Sequence, residues 1–232
     1  MNMTRDGTAP ALLADEESAR RWVYLLCGGD DARWKKLEDY VALVASENER
    51  QNLVAASTLP HIWVRHIADS AQLLLLDAAN TDERQNRRGL WLDLGSGPGL
   101  PGLVVAILSD RPVALVESRK RRCDFLREAA QKLDLTHVEV VEDRLERVAN
   151  RAVATISARA FAPLPKLITL STRFSTDSTR WLLPKGRNAM KELALLPKAW
   201  QRMFHVEQSR TDADSYILVG EGRIGAAQRG TR

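Results

Sequence analysis

The segment Trp91-Leu92-Asp93-Leu94-Gly95-Ser96-Gly97-Pro98-Gly99-Leu100-Pro101-Gly102 decides the fold class of this chain. It begins with apolar residues typical of a buried strand and leads into the apolar run Leu103 to Leu108, typical of a helix packed on a sheet. The glycines between them let the backbone turn tightly and approach a ligand without a Cβ in the way. A strand, a glycine-rich turn and a helix in this order indicate a Rossmann-like α/β fold.

The residues after this turn continue the alternation of short apolar runs and helical stretches. This rhythm predicts a mostly parallel sheet covered by helices on both faces. The last two runs have no helix between them and predict an antiparallel hairpin, which makes seven strands in all. The predicted strands are Leu90 to Leu94, Val113 to Glu117, Val138 to Val141, Val153 to Ser157, Arg180 to Leu183, Arg202 to Glu207 and Ser215 to Val219.

The residues before the turn have helical periodicity instead. Helices are predicted at Glu16 to Cys27, from a cap at Asp30 or Asp31 onward, and from Pro60 to Ala78. The chain therefore divides into a disordered lead-in (1–14), an N-terminal helical extension ending in a polar linker (15–89), a cofactor-binding α/β domain (90–220) and a basic tail (221–232).

Composition narrows the class of protein. A hydrophobic share of 44% and a charged share of 28% are ordinary for a globular domain, and no apolar run is long enough to span a bilayer. No signal peptide is recognisable, and the two cysteines and four histidines show no metal-ligand spacing. We expect a cytoplasmic protein without metal or membrane.

An acidic residue strengthens the ligand-binding interpretation of the turn. Glu117 ends the strand after the glycines, about 20 residues on, where a carboxylate can accept hydrogen bonds from two ribose hydroxyls. Gly97 to Gly102 also satisfies the spacing of nicotinamide-dinucleotide sites, so two cofactors compete. The position of Asp93 before the glycines, the terminal hairpin and the short remaining chain favour S-adenosylmethionine over NAD.

Positive charge is concentrated just beyond Glu117. The net charge is +4, and the cluster comprises Arg119, Lys120, Arg121, Arg122 and Arg127. Such a cluster favours a polyanionic partner, although a solvated helix face explains the charge equally simply.

The motifs together resemble the RsmG family, also called glucose-inhibited division protein B, over about Leu37 to Val219. The most specific matches are Arg65-His66-Ile67-Ala68-Asp69-Ser70, the glycine-rich turn, Ser157-Ala158-Arg159-Ala160-Phe161-Ala162 and Leu183-Pro184-Lys185-Gly186. One departure is Glu47-Asn48, where the family has tryptophan-asparagine.

The resemblance implies a class I methyltransferase fold and an S-adenosylmethionine-dependent enzyme that methylates N7 of a guanine in 16S ribosomal RNA, free or in the small subunit. It implies cofactor contacts in the turn and beyond the third and fourth strands. With Gly97 and Glu117 from the residues themselves, the predicted cofactor site comprises Gly95, Gly97, Leu100, Glu117, Leu145, Glu146 and Arg159. The predicted RNA-phosphate ligands are Arg119, Lys120, Arg121, Arg122, Lys185 and Arg187.

Several roles stay open at this level. Glu146 is also explained as an exposed helix charge. Arg159 lies in an apolar stretch, where its charge needs a partner: the methionine carboxylate, an RNA phosphate or Asp93. His66 and Asp69 are either catalytic or a structural pair. A nicotinamide oxidoreductase and a non-catalytic RNA- or ribosome-binding protein remain as alternative functions.

Overall fold

The computed structural model describes residues 11–78 and 89–224. Seven strands form one sheet, and the predicted hairpin closes it. The strands are β1 (Trp91–Leu94), β2 (Val113–Glu117), β3 (Val138–Glu142), β4 (Thr155–Ser157), β5 (Arg180–Lys185), β6 (Phe204–Gln208) and β7 (Tyr216–Glu221).

The strand order is β3-β2-β1-β4-β5-β7-β6, with β1 to β5 parallel and β7 antiparallel to both β5 and β6. Every residue of β1 and β2 is buried, as expected for central strands covered on both faces. The predicted mostly parallel seven-stranded sheet is therefore confirmed. Strand β6 begins two residues later than predicted because Arg202 and Met203 still donate to carbonyls of the preceding helical turn.

Eight helices are present in the described parts of the chain. They are α1 (Glu16–Leu26), α2 (Asp31–Asn48), α3 (Asp69–Ala78), α4 (Gly102–Leu108), α5 (Lys120–Lys132), α6 (Leu164–Ser171), α7 (Ala189–Ala194) and α8 (Lys198–Gln201). Asp30 caps α2, since its side chain accepts a hydrogen bond from the Arg33 N–H at 3.0 Å.

The predicted single helix from Pro60 to Ala78 is wrong in its first half. A 3-10 turn (Ala56–His61) and one π-helical turn (Trp63–Ala68) precede α3. Two causes are visible. Pro60 has no N–H to donate, and the Glu16 carboxylate binds the N–H groups of Trp63 and Val64 at 3.0 and 2.8 Å. Backbone donors at the start of the segment are thus satisfied from outside it.

The N-terminal helices and the sheet share one core. All seven residues of α4 are buried, because the sheet covers one side of this helix and α2 and α3 cover the other. Leu13 is also buried, and its N–H donates to the Arg210 carbonyl at 2.6 Å. Leu13 is therefore packed against the fold, although it falls within the predicted lead-in. Residues 1–10, most of the linker (79–88) and most of the tail (225–232) lie outside the described residues.

Candidate active site

The glycine-rich turn joins β1 to α4 and is shaped by backbone conformations that disfavour side chains. Gly95 and Gly97 have φ of +67° and +57°. A Cβ at Gly95 would lie 2.5 Å from the Phe161 ring, whereas a Cβ at Gly97 would meet nothing closer than 3.7 Å. Gly97 thus leaves open space above the turn, and Gly95 permits close packing on the loop after β4.

The Asp93 side chain stabilises this turn from within the core. Its fully buried carboxylate accepts from the Gly102 N–H at 3.2 Å and from the Ser157 hydroxyl at 2.7 Å, which links β1, β4 and the start of α4. Burial raises the pKa of Asp93 to about 6, although these hydrogen bonds oppose the shift. Asp93 is not hydrogen-bonded to Arg159, so that proposed pairing is wrong.

Glu117 lies beside the turn, at the carboxyl end of β2. One oxygen accepts from the Gly97 N–H at 3.1 Å, and the other accepts from the N–H groups of Ser118 and Arg119 at 2.7 and 2.9 Å. A carboxylate has about four acceptor positions, so these three bonds orient it and leave capacity for a ribose hydroxyl.

The other predicted cofactor residues lie along the same edge. Leu100 is buried in the turn, and Leu145 is buried in a 3-10 turn (Leu145–Arg147) just beyond β3. Glu146 is exposed in that turn. The structure therefore brings these residues to the carboxyl ends of β1, β2 and β3, where ligands of open α/β sheets bind.

A cavity of about 750 Å³ continues this edge beyond β4 and β5. Phe161 lines it and also abuts Gly95, so one aromatic ring separates the cavity from the glycine-rich turn. Three ion pairs contribute to its wall: Arg65 with Asp212 at 2.7 Å, Arg159 with Asp69 at 3.0 Å, and Lys185 with Glu192 at 2.9 Å.

Arg159 joins the loop after β4 to the π-helical turn. Besides Asp69, its guanidinium donates to the Arg65 carbonyl at 3.3 Å and to Nδ1 of His66 at 2.8 Å. Since arginine can only donate, Nδ1 is the acceptor and Nε2 carries the proton toward Thr58 Oγ at 2.8 Å. The Arg159 side chain is thus directed to the N-terminal helices.

His66 is held neutral in this network. Burial, with the charges of Arg159 and Arg65, lowers the pKa of His66 to about 3. Its one free lone pair is already bonded to Arg159. His66 therefore lacks both the pKa and the accessible nitrogen of a general base near neutral pH.

Five of the six predicted phosphate ligands are exposed or partly exposed, and the sixth, Lys185, is largely buried. Arg119, Lys120 and Arg121 are exposed at the start of α5 beside Glu117, and Arg122 is partly exposed, with its guanidinium 3.8 Å from the Glu117 carboxylate. Arg187 is exposed at the other end of the site. Lys185 is different, because its side chain is only 11% exposed and is bonded to Glu192. Its predicted contact with an RNA phosphate stays a prediction.

Sequence reasoning missed two contributors. Tyr40 lies in the helix predicted after Asp30 and fits its apolar side, yet its buried hydroxyl donates to the Pro98 carbonyl of the turn at 2.8 Å. Glu192 gave no signal beyond its charge, since its partner Lys185 precedes it by seven positions across a loop.

Fold and site together define the class of protein. In dinucleotide-binding sheets the sixth strand follows the fifth in order, whereas here antiparallel β7 is inserted between β5 and β6. The nicotinamide alternative does not fit this topology. The arrangement is that of a Rossmann-like class I methyltransferase.

The chain belongs to the GidB family, whose model, described as rRNA small subunit methyltransferase G, matches residues 33–214. It is 64% identical over 225 residues to Ribosomal RNA small subunit methyltransferase G of Sphingopyxis alaskensis, covering 97% of this chain and 94% of that relative. Membership confirms the predicted family and the predicted class, an S-adenosylmethionine-dependent methyltransferase.

Solved structures show the same fold at low identity. A ribosomal protein L11 methylase from Lactobacillus delbrueckii subsp. bulgaricus has a TM-score of 0.54 and 12% identity, covering 69% of this chain and 79% of that one. A mutant of MtNAS in complex with S-adenosylmethionine has a TM-score of 0.50 and 15% identity, covering 91% of this chain and 85% of that one.

In the part of the chain that the structure describes, no helix is long and apolar enough to cross a membrane. The same residues contain no group of three or more His, Cys, Asp or Glu side chains placed to hold a metal ion.

Proposed function

We propose that this protein transfers the methyl group of S-adenosylmethionine to N7 of a guanine in 16S ribosomal RNA, either free or in the small subunit, in the cytoplasm. The observation that carries the proposal is the single edge of the sheet, where a glycine-rich turn and an adjoining cavity are separated by one aromatic ring. Cofactor and target base need this adjacency, because the transferred methyl must pass directly between them.

The described residues fit the cofactor. The positive φ of Gly95 and Gly97 removes side chains from the approach to the turn, and Glu117 keeps acceptor capacity for the ribose. Leu100 and Leu145 provide buried apolar walls, and Glu146 adjoins them. When bound, S-adenosylmethionine supplies an electrophilic methyl group on a sulfonium. The Arg159 side chain is occupied by Asp69, so its predicted cofactor contact would come from its main chain beside the turn.

The chemistry agrees with a site whose cavity-lining histidine is engaged. Guanine N7 carries an in-plane lone pair that is unprotonated near neutral pH, so no proton must be removed before attack. His66 is neutral and its lone pair is engaged. The residues around the cavity act by orienting the base and excluding water from it.

RNA reaches the cavity past exposed cations. Arg119, Lys120, Arg121 and Arg122 lie next to the cofactor edge, and Arg187 lies at the end of β5. Arginine and lysine fix phosphates, while bases of single-stranded regions enter pockets and stack on aromatic rings. Phe161, which lines the cavity, provides that stacking surface.

A chemical cleavage tests the proposal. RNA treated with the full chain and S-adenosylmethionine is reduced with borohydride and cleaved with aniline, which cuts at 7-methylguanosine. We expect one cut in 16S RNA, absent without cofactor. Methyl incorporation without a cut would move the target to another atom, and no incorporation into RNA or subunits would contradict the enzymatic role.

A further inference from the structure

The three carboxylates of the cavity wall differ in whether both of their oxygens accept hydrogen bonds from the protein. Both oxygens of Asp69 are bonded, one to Arg159 and the other to Gln72 and Thr211. Both oxygens of Asp212 are bonded as well, to Arg65 and to the Asp214 N–H.

Glu192 is the exception. Its Oε2 accepts from Lys185 Nζ at 2.9 Å and from the Leu164 N–H at 3.0 Å. Its Oε1 has no donor within hydrogen-bond distance among residues 11–78 and 89–224. The side chain is 28% exposed and lines the cavity, so one oxygen is fixed by protein donors while the other keeps its acceptor capacity for a ligand.

Lys185 has matching spare capacity. Its ammonium has three N–H donors, and only the bonds to Glu192 and, at 3.5 Å, to the Ala162 carbonyl are formed within the described residues. The pair therefore offers one donor and one acceptor side by side. Glu192 lies in α7 and accepts from the N–H of the first residue of α6, and Lys185 ends β5 and is bonded to the loop after β4, so this polarity is fixed by the fold.

Guanine and adenine present opposite polarity at the corresponding positions. Guanine has the O6 acceptor next to the N1–H donor, whereas adenine has the N6–H donor next to the N1 acceptor. A fixed lysine donor and carboxylate acceptor complement guanine and leave adenine with two mismatched contacts.

We propose that Lys185 and Glu192 select guanine, with Lys185 Nζ donating to O6 and Glu192 Oε1 accepting from N1–H. This inference rests on the proposed function. It explains how an enzyme that attacks N7, an atom common to both purines, distinguishes them. The lysine thus contacts the base rather than a phosphate.

The test uses RNA with guanine, inosine or adenine at the position mapped by the aniline cut. The full chain is titrated with each RNA in the presence of adenosylhomocysteine. Inosine keeps O6 and N1–H, so we expect it to bind within about threefold of guanine. Adenine should bind about tenfold to a hundredfold more weakly. Inosine binding as weakly as adenine would overturn the proposal without any variant.

Variants sharpen the result. In Glu192→Gln the amide can still accept from Leu164 N–H but can also turn an N–H toward adenine, so the guanine preference should fall to within about threefold. Lys185→Gln should lower it as well. Glu38→Gln is the matched control. Glu38 lies on α2 away from the cavity, is 37% exposed and is bonded to Arg20 of α1 at 2.8 Å.

The outcomes separate the two proposals. If wild-type protein produces no aniline cut, the proposed function fails and this inference fails with it. If the cut is present but Glu192→Gln keeps the wild-type preference for guanine, the assignment of base selection to Lys185 and Glu192 is overturned. This holds whether or not the variant changes the rate of methyl transfer.

Discussion

Around the glycine-rich turn the shaping contacts come mainly from main-chain groups, whereas around the cavity they come from side chains of distant segments. Glu117 and Asp93 bind backbone N–H groups of residues close to the turn. The cavity instead unites residues of the π-helical turn, the β4 and β5 loops and the β6–β7 hairpin. Glycines in the sequence predict a site built from main-chain groups. A site built from side chains of distant segments can be recognised only in the folded structure.

The largest expected effect concerns the backbone-built region. Gly97→Asp should weaken adenosylhomocysteine binding more than about 100-fold, because left-handed backbone costs a side chain about 1–2 kcal/mol and the new carboxylate would lie beside Glu117. Calorimetry measures the change. Gly28→Asp, with φ of +66° and open space around it, controls for backbone strain alone. Equal binding by both variants would contradict the assignment.

A smaller effect is expected in the side-chain-built region. Arg159→Ala leaves Oδ2 of Asp69 and Nδ1 of His66 without a donor, so we expect a loss of about 1–2 kcal/mol in stability and about tenfold or more in transfer rate. Adenosylhomocysteine affinity should change little. Thermal unfolding and single-turnover rates measure these effects. If affinity for the cofactor falls while the RNA step is unchanged, Arg159 serves the cofactor instead.

Asp93 in the first region and His66 in the second are buried groups with displaced pKa values, and the two act in opposite directions. The pKa of Asp93 is raised to about 6, so between pH 4 and 6 the folded state binds more protons and stability falls as pH rises. The pKa of His66 is lowered to about 3, so between pH 3 and 6.5 the unfolded state binds more protons and stability falls as pH falls.

Variants should expose these opposing slopes. From pH 6 to pH 4 the free energy of unfolding of wild type should fall relative to His66→Gln, and rise relative to Asp93→Asn, each by about 1 kcal/mol per pH unit. Denaturant titrations at several pH values measure both differences. A flat difference for either variant would show that the group titrates as in the unfolded chain.

The smallest effect lies outside both regions. Arg121→Ala should weaken RNA binding about threefold to tenfold, equally for guanine and adenine at the target, and lower the magnitude of the salt slope by about one. Lys132→Ala, at the opposite end of α5, is the matched control. If the salt dependence of RNA binding is unchanged in Arg121→Ala, this cation belongs to a solvated helix face, which is the alternative explanation of the charge cluster.

The sequence was sufficient where the determinants are local. Strand periodicity, the glycine spacing and the turn-forming residues before β7 predicted all seven strands and the hairpin. It was insufficient where a partner comes from afar. Glu16 reaches Trp63 from 47 positions away and helps set the start of a π-helical turn, which no helical period reveals. Lys185 looked like a phosphate ligand because nothing local indicates that Glu192 binds it.

The complete burial of α4 has a consequence for the chain as it is made and cut. This helix is apolar on all sides, and among the described residues α2 and α3 cover its outer side. A fragment beginning at residue 90 would keep the cofactor turn but expose that surface to self-association. The segment from residue 90 onward is therefore not an independent module. Helices α2 and α3 are synthesised first and can bury their apolar sides only once α4 has been made. Transfer of the glycine-rich turn to another protein would require these two helices as well.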